Sequence, residues 1–329
     1  MSMNYYEIPR ISNSGLSCID PETGGHPEKY RDFVDGFYKQ ESPSMSLGDI
    51  IHRHLLLNES FVAMDKRPGD VIVKILDDYY SGLKNKYPLP FNIESEREML
   101  LKIIRFYGYY KNRKDETVLE GVIKEGDDYF KFLLQNNGKT AIPSEWQAIL
   151  EKLSFSMLRG HVQEIFNPVD KDGLEILSEY EILFDIVSDS FLDVPELFEC
   201  KAKIDRLIVD HKSKTYRIID LKSTSGLLEM FADSVKRYKY HRQLAFYREA
   251  VRQKLPVNYS EEGVYILALE TTGYCRARLF LLDSDTLNAG RKDYQNLLKR
   301  ISYHTATFNW IYPLEEEENQ GVYHLNMIT

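Results

Sequence analysis

The chain has 329 residues, of which 43% are hydrophobic and 28% are charged, and its formal net charge is −9. These values are typical of a soluble globular protein that can bury a full core. They argue against a membrane protein, because no apolar run approaches the roughly 20 residues of a spanning helix, and no secretory signal opens the chain. Three scattered cysteines predict no disulfide framework and a cytoplasmic location.

The first half of the chain is predicted to contain mostly helices. Residues 1–44 are irregular, with several prolines and glycines, and residues 46–58 read as a helix with Ser46 as its N-cap. Residues 60–142 also read as mainly helical, and residues 143–166 as one long helix. We therefore expect a large helical segment to precede any sheet.

The second half is predicted to alternate between strands and helices. Three consecutive runs rich in β-branched and apolar residues predict neighbouring strands. In chain order the predicted elements are strands at 176–187, 198–210 and 215–223, a helix at 229–253, strands at 262–271 and 275–282, and a helix at 285–302. This order predicts an α/β fold with a mixed sheet.

The second and third predicted strands carry a candidate metal site. Asp205 lies in one strand and Asp220 in the next, so an antiparallel hairpin would bring the two carboxylates together. Lys222 follows two residues later, on the same strand face as Asp220. Paired carboxylates favour a cation, and hard oxygen ligands favour Mg²⁺ or Mn²⁺. Because Asp-x-Lys is common, this pattern alone also fits an ordinary surface hairpin.

Two helical patterns make the prediction of a metal site more specific. Gln243 and Tyr247 are four residues apart and share a helix face. His52 lies one turn after Gly48 on the predicted helix 46–58, and imidazole is a good ligand for Mn²⁺. Each motif is weak by itself, since an isolated helix histidine is more often a structural residue than a ligand.

The four motifs in this order resemble the PD-(D/E)xK nuclease superfamily, specifically its RecB-like and RecE-like branch. That branch carries G-x-x-x-H, an Asp, (D/E)-x-K and Q-x-x-x-Y in sequence. The segment from Ile11 to Leu16 also resembles the opening of RecE-type exonucleases. The resemblance spans about residues 10–275, with a weakly matching stretch in the middle, and implies a restriction-endonuclease-like core with a helical insertion.

The resemblance implies roles for individual residues. His52, Asp205 and Asp220 would bind the metal, together with the backbone carbonyl of Leu221, while Lys222 would assist the attacking water. Gln243 and Tyr247 would support the site or contact the DNA backbone.

A further acidic residue is common in this branch on the strand before Asp205. Glu179 and Glu181 are both candidates for it, and the sequence does not choose between them. Either one is equally compatible with a solvated strand position.

Although the chain carries a net negative charge, one segment of it is basic. Residues 199–254 contain 14 Lys and Arg against 7 Asp and Glu, a local net charge of +7. Such a segment favours phosphate contacts, although strand and helix faces are often basic without binding DNA. The predicted DNA-contacting residues are Lys201, Lys203, Arg206, Lys236, Arg237, Lys239 and Arg242.

We predict one nuclease domain over residues 1–329, with residues 60–142 as a helical insertion and 313–329 as an acidic tail. The basic and aromatic residues between 102 and 114 allow two interpretations. They either line a path for DNA or belong to an amphipathic helix whose tyrosines pack and whose charges face water. We favour packing.

The predicted function is a metal-dependent exodeoxyribonuclease that degrades double-stranded DNA from an end. The resemblance also implies a phage origin, a single-strand annealing protein as partner, and a homo-oligomer. A structure-specific endonuclease, a non-cleaving DNA-binding module and a small-molecule hydrolase are the alternatives. The complete His, Asp, Asp and Lys set argues against the binding module, and the basic segment argues against the small-molecule enzyme.

Overall fold

The computed structural model describes residues 4–37, 47–89, 91–109, 112–169 and 172–319, except for the side chains of residues 317 and 318. The described part of the chain forms two compact units. The first unit comprises Met1–Ser42 and Phe155–Thr329, and the second comprises Pro43–Ser154. Within the described residues, no helix is both long and apolar enough to cross a bilayer.

Helices contribute to both units. In chain order they are α1 (Asn13–Ile19), α2 (Pro27–Val34), α3 (Leu47–Leu57), α4 (Asp70–Lys86), α5 (Arg97–Phe106), α6 (Asp115–Gln135), α7 (Ser144–Met157), α8 (Gly160–Phe166), α9 (Phe231–Arg237), α10 (Tyr240–Lys254), α11 (Ser284–Thr307) and α12 (Leu314–Glu318). Short 3₁₀ turns lie at Tyr5–Glu7, Pro21–Thr23 and Leu228–Met230.

The strands are β1 (Val62–Ala63), β2 (Ala141–Ile142), β3 (Leu174–Asp189), β4 (Pro195–Asp210), β5 (Thr215–Thr224), β6 (Ser260–Glu270) and β7 (Ala277–Leu281). A five-stranded sheet in the order β3-β4-β5-β6-β7 forms the centre of the first unit. Within this sheet, as far as the described residues show, only β5 and β6 pair in parallel, and the chain crosses between them through α9 and α10, as a parallel connection requires. The predicted mixed α/β fold is therefore confirmed.

The core of the first unit lies between the sheet and two long helices. Helix α10 packs on β3, β4 and β5, and α11 packs on α10 and on β3. Leu244 and Phe246 of α10 and Leu298 of α11 are fully buried. On β3 the alternation of buried Ile182 and Phe184 with exposed neighbours is the period-2 pattern of a strand with one buried face. This core fixes α10 against the strands that carry the acidic residues.

The second unit is a small helical cluster. Helices α4, α5 and α6 pack together, and β1 pairs in parallel with β2. Tyr79 and Tyr129 are fully buried, and the hydroxyl of Tyr129 donates to Asp77 at 2.7 Å. Among the residues considered as a DNA path, Tyr107 donates to Asp78 at 2.7 Å, and Tyr110 and Lys111 lie outside the described residues, as does the predicted N-cap Ser46.

Two helices predicted to be continuous are broken. The predicted helix 143–166 is divided into α7 and α8, where Gly160 adopts φ +46°. The predicted helix 229–253 is divided at Lys239, whose φ of +56° and ψ of 38° are left-handed and incompatible with a continuous right-handed helix. Helical periodicity continues across both breaks, so the pattern alone did not reveal them.

The acidic C-terminal segment begins with a docked helix. In α12, the carboxylate of Glu315 accepts a hydrogen bond from Arg300 Nη1 of α11 at 2.8 Å. The sequence-based expectation of a solvated tail therefore does not extend to Glu315. The predicted tail beyond residue 319 lies outside the described residues.

Gly290 generates the first testable prediction. A Cβ added at this position of α11 would lie 2.2 Å from the carbonyl oxygen of His241 and 2.9 Å from the amide nitrogen of Arg242, both in α10. Gly290→Ala must therefore separate the two helices, and we expect it to lower the free energy of unfolding by about 1–3 kcal/mol. Urea denaturation of the purified variant measures this change.

Gly121→Ala is the matched control, because Gly121 also lies within a helix but its Cβ would meet nothing within 4 Å. We expect it to be neutral or to stabilise by about 0.5–1 kcal/mol through its better helix propensity. Equal stabilities of the Gly290→Ala variant and the wild-type protein would contradict the close helix packing.

Candidate active site

The predicted β4–β5 hairpin places two aspartates at one point of the sheet. The antiparallel pairing runs from Asp210 and Thr215 to Arg206 and Ile219. The next position along this register brings Asp205 opposite Asp220. The backbone N–H of Leu221 donates to Asp205 Oδ2 at 2.7 Å, which holds that carboxylate against β5.

Asp220 is the most deeply buried acidic group of this site. Its side chain is 0% exposed, and Lys222 Nζ lies 2.7 Å from its Oδ2. Despite this ion pair, neither oxygen accepts a hydrogen bond of regular geometry from the described residues. A buried carboxylate whose hydrogen-bonding capacity is unused requires further compensation.

The pKa of Lys222 depends on the charges of both aspartates. Burial alone would lower the pKa of its ammonium group, but the charges of Asp220 and then Asp205 outweigh burial and raise the pKa above its ordinary value. Lys222 is therefore a protonated cation at neutral pH. One lysine charge faces two carboxylates, so the pair retains an excess of negative charge.

Glu179 is the third carboxylate of the candidate site, and its surroundings in the structure differ from those of Glu181. Glu179 lies on β3 between residues paired with Arg206 and Ile204, which puts it opposite Asp205. A carboxylate oxygen of each of these two residues lies within 4.8 Å of the other. Glu179 also forms an ion pair with Lys203, whereas Glu181 is exposed.

The backbone of Glu179 is strained. Its φ of +53° is left-handed, which costs roughly 1–2 kcal/mol for a residue with a Cβ. Residues held in such conformations cluster at functional sites. The strain occurs at the acidic residue of β3 that approaches Asp205.

Helix α10 packs on β4 and β5, the strands that carry the two aspartates. Gln243 Nε2 donates to the hydroxyl of Tyr247 at 2.8 Å, so the two residues share a helix face as predicted. Burial, followed by the charges of Asp220 and Asp205, raises the pKa of Tyr247 well above its ordinary value. Tyr247 is therefore a neutral phenol beside both aspartates.

His52 and the backbone carbonyl of Leu221 are the two other predicted metal ligands. His52 is half-buried on α3, one turn after Gly48, and it belongs to the second unit. The backbone N–H of Leu221 is bonded to Asp205. Metal binding by His52 and by the Leu221 carbonyl stays a prediction.

Three of the residues expected to contact DNA instead form hydrogen bonds or ion pairs with other parts of the protein. Lys201 Nζ donates to the backbone carbonyls of Tyr5 at 2.8 Å and Ile8 at 2.7 Å. Arg206 is buried, donates to Asn167 Oδ1 at 2.7 Å, and has a pKa lowered to about 10 by burial. The side chains of Lys201 and Arg206 donate hydrogen bonds to acceptors inside the protein. We therefore remove these two residues from the predicted phosphate contacts.

Arg242 is the third. Only 1% of its side chain is exposed; it forms an ion pair with Asp20 and donates to Ser17 Oγ at 2.7 Å. It therefore anchors α1 to α10 and is corrected from a DNA contact to a structural residue. Lys203 and Lys239 are ion-paired with Glu179 and Glu22, which leaves Lys236 and Arg237 as the exposed basic positions of the predicted set.

Sequence reasoning missed two groups beside the site. The 3₁₀ turn Tyr5–Glu7 is held by Lys201 across about 195 residues of chain. The ring of Tyr240 lies 5.0 Å from Lys222 Nζ. Neither contact follows from a spacing in the sequence, because each depends on tertiary packing.

A mixed sheet carrying adjacent carboxylates and a lysine, with a helix packed beside them, is the arrangement that the resemblance found in the sequence implies. Residues 28–309 match the family model described as the PD-(D/E)XK nuclease superfamily. Since this match covers most of the chain, the protein belongs to that superfamily. The predicted superfamily is thus confirmed, while the RecB-like and RecE-like branch stays a prediction.

Comparisons with individual proteins add little to this assignment. No curated protein matches the chain. Among solved structures, a chain from Eubacterium rectale described as a "putative exonuclease" is similar, with 13% identity and a TM-score of 0.46. The alignment covers 100% of this chain and 97% of that chain. The family assignment therefore rests on the family model.

The buried pair of Arg242 and Asp20 generates a second prediction. Arg242→Ala leaves the Asp20 carboxylate buried without its cation, so we expect a loss of about 3–5 kcal/mol in the free energy of unfolding. Arg237→Ala, at an exposed position five residues earlier, should change it by at most about 0.5 kcal/mol. Equal unfolding midpoints in urea for the two variants would show that Arg242 is not structural.

Proposed function

We propose that this protein is a metal-dependent deoxyribonuclease, and that it acts as an exonuclease on the ends of double-stranded DNA. The observation that carries the proposal is the buried Asp220 carboxylate, which lies opposite Asp205 and is paired with Lys222 at 2.7 Å, while its Oδ1 has no hydrogen-bond partner among the described residues. Membership of a nuclease superfamily supports hydrolysis of nucleic acid. The preference for DNA ends comes from the resemblance to RecE-type exonucleases.

The residues fit a divalent cation. Glu179, Asp205 and Asp220 offer oxygen ligands, which Mg²⁺ and Mn²⁺ prefer, and Oδ1 of Asp220, which has no hydrogen-bond partner among the described residues, is an acceptor of the required kind. Lys222 and Lys203 pair with Asp220 and Glu179. When bound, the cation would polarise the phosphate and lower the pKa of a water molecule.

The chain itself supplies positioning and charge. Asp205 is fixed by the N–H of Leu221, so its carboxylate does not need to reorganise. Lys222, held protonated by Asp220 and Asp205, would orient the attacking water or stabilise negative charge developing on the phosphate. The hydrogen bond between Gln243 and Tyr247 keeps a neutral phenol against the two aspartates.

The remaining parts of the proposal rest on the sequence and on the resemblance that it carries. These are His52 as an additional ligand, a single-strand annealing protein as partner, a homo-oligomer, and a cytoplasmic, phage-related role. A structure-specific endonuclease would use the same carboxylates and lysine. The form of the DNA that is cut therefore has to be decided by experiment.

Metal binding can be tested without measuring activity. At a metal concentration 100 times Kd, Mg²⁺ or Mn²⁺ should stabilise the wild-type protein by about 2.7 kcal/mol. This stabilisation should appear as a rise of several degrees in Tm over a sample in EDTA. Asp220→Asn and Glu179→Gln should reduce the metal-dependent rise, because each removes a charged ligand.

Glu181→Gln is the matched control, since Glu181 is two residues from Glu179 on the same strand but exposed. It should keep the full metal-dependent rise in Tm. Comparing each variant with its own EDTA baseline separates metal binding from folding. An undiminished rise in the Asp220→Asn variant would contradict the proposed ligand set.

Catalysis is tested with end-labelled linear double-stranded DNA and with a closed circle. We expect wild-type protein with Mg²⁺ or Mn²⁺ to degrade the linear DNA and spare the circle. Asp220→Ala and Lys222→Ala should each lower the rate by at least about 100-fold, the usual loss when a charge-stabilising group is removed. Cleavage of the circle would favour the endonuclease. Intact linear, circular and branched DNA with both metals would favour the binding module.

A further inference from the structure

An aromatic stack begins at the surface and ends at the catalytic lysine. Tyr238, between α9 and α10, is 54% exposed. Its ring stacks on that of Tyr240, with centroids 5.6 Å apart and planes 27° apart. Tyr240 in turn stacks on the buried ring of Phe231, at 6.1 Å and 25°. One member of the stack is therefore exposed while the others are supported by the core.

Tyr240 connects this stack to the proposed chemistry. Lys222 Nζ lies 5.0 Å from the centroid of the Tyr240 ring and 2.7 Å from Asp220 Oδ2. Tyr240 thus contacts both the exposed ring of Tyr238 and the lysine of the proposed site.

The break between the two helices is what aligns the rings. In a continuous helix, residues two positions apart point to different faces and their rings do not stack. The left-handed conformation of Lys239 interrupts the helix between Tyr238 and Tyr240. Lys239 is held by ion pairs with Glu22 and with Asp293, the latter at 3.8 Å. Strain at one lysine therefore creates the stacked pair.

The surroundings of Tyr238 suit a nucleic acid. Lys236 and Arg237 are exposed immediately before it, and the Arg237 guanidinium carbon lies 5.6 Å from the centroid of the Tyr238 ring. An aromatic platform bordered by exposed cations is the chemistry by which proteins bind unpaired nucleotides, through base stacking and phosphate contacts.

We propose that Tyr238 is a base-stacking residue, which receives an unpaired nucleobase of the strand whose phosphate is bound at Lys222. This inference rests on the proposed function and adds a requirement to it. The strand being cut must present an unstacked base, so a frayed or single-stranded end enters the site. Arg237 contacts a neighbouring phosphate of the same strand.

The test measures binding separately from cleavage. A fluorescein-labelled DNA with a short single-stranded end is titrated with protein in Ca²⁺, and fluorescence anisotropy gives Kd. Tyr238→Ala should weaken binding about tenfold, within the range measured for one stacked base. Tyr238→Phe and Tyr238→Trp should bind like the wild-type protein, because they keep an aromatic face. Tyr312→Ala is the control, since Tyr312 is 51% exposed in the segment after α11, and should have no effect.

A substrate with an abasic nucleotide, moved one position at a time along the single-stranded end, identifies the stacked base. At one position the missing base should weaken wild-type binding about tenfold but leave Tyr238→Ala binding unchanged, because the interaction is already lost. Additive effects at every position would overturn the stacking proposal, as would wild-type affinity in Tyr238→Ala. A wild-type protein that neither binds nor degrades DNA would instead overturn the proposed function, and this inference with it.

Discussion

The burial of Asp220 is the constraint on which the rest of the site depends. A carboxylate that is 0% exposed and accepts no regular hydrogen bond from the described residues is costly unless cations surround it. Lys222 provides one positive charge, but Asp205 adds a second negative charge at the next position of the register. The sheet thus holds a charge arrangement that a divalent cation would complete, and Asp220 is its most deeply buried member.

The basic segment serves the fold as much as any substrate. Lys201 holds the turn Tyr5–Glu7 through backbone carbonyls, and Arg242 holds α1 through Asp20 and Ser17. These cations attach the N-terminal part of the chain to the sheet and to α10. A local net charge therefore overestimates the surface that faces phosphate, because burial decides which side chains remain available.

Much of the site followed from the sequence, since it depends on short periods. Strand alternation and a polar turn predicted the β4–β5 hairpin, and a spacing of four predicted the contact between Gln243 and Tyr247. The choice between Glu179 and Glu181 did not follow, because both lie on the same strand face by spacing and only tertiary structure brings Glu179 near Asp205 and Lys203. The corrected role of Arg242 was also beyond the sequence, because its partners come from a helix more than 220 residues earlier.

Glu179 and Lys239 explain why sequence reasoning failed where it did. Both have side chains that favour right-handed or extended backbone, yet both adopt left-handed conformations, and each is held there by an ion pair, with Lys203 and Glu22 respectively. Local propensity therefore predicts the wrong backbone at both positions. One strained residue approaches Asp205, and the other aligns the ring of Tyr238 with Tyr240 above Lys222. Departures from local rules are expected where function imposes a geometry that folding alone would not select, and these two lie beside residues of the candidate site.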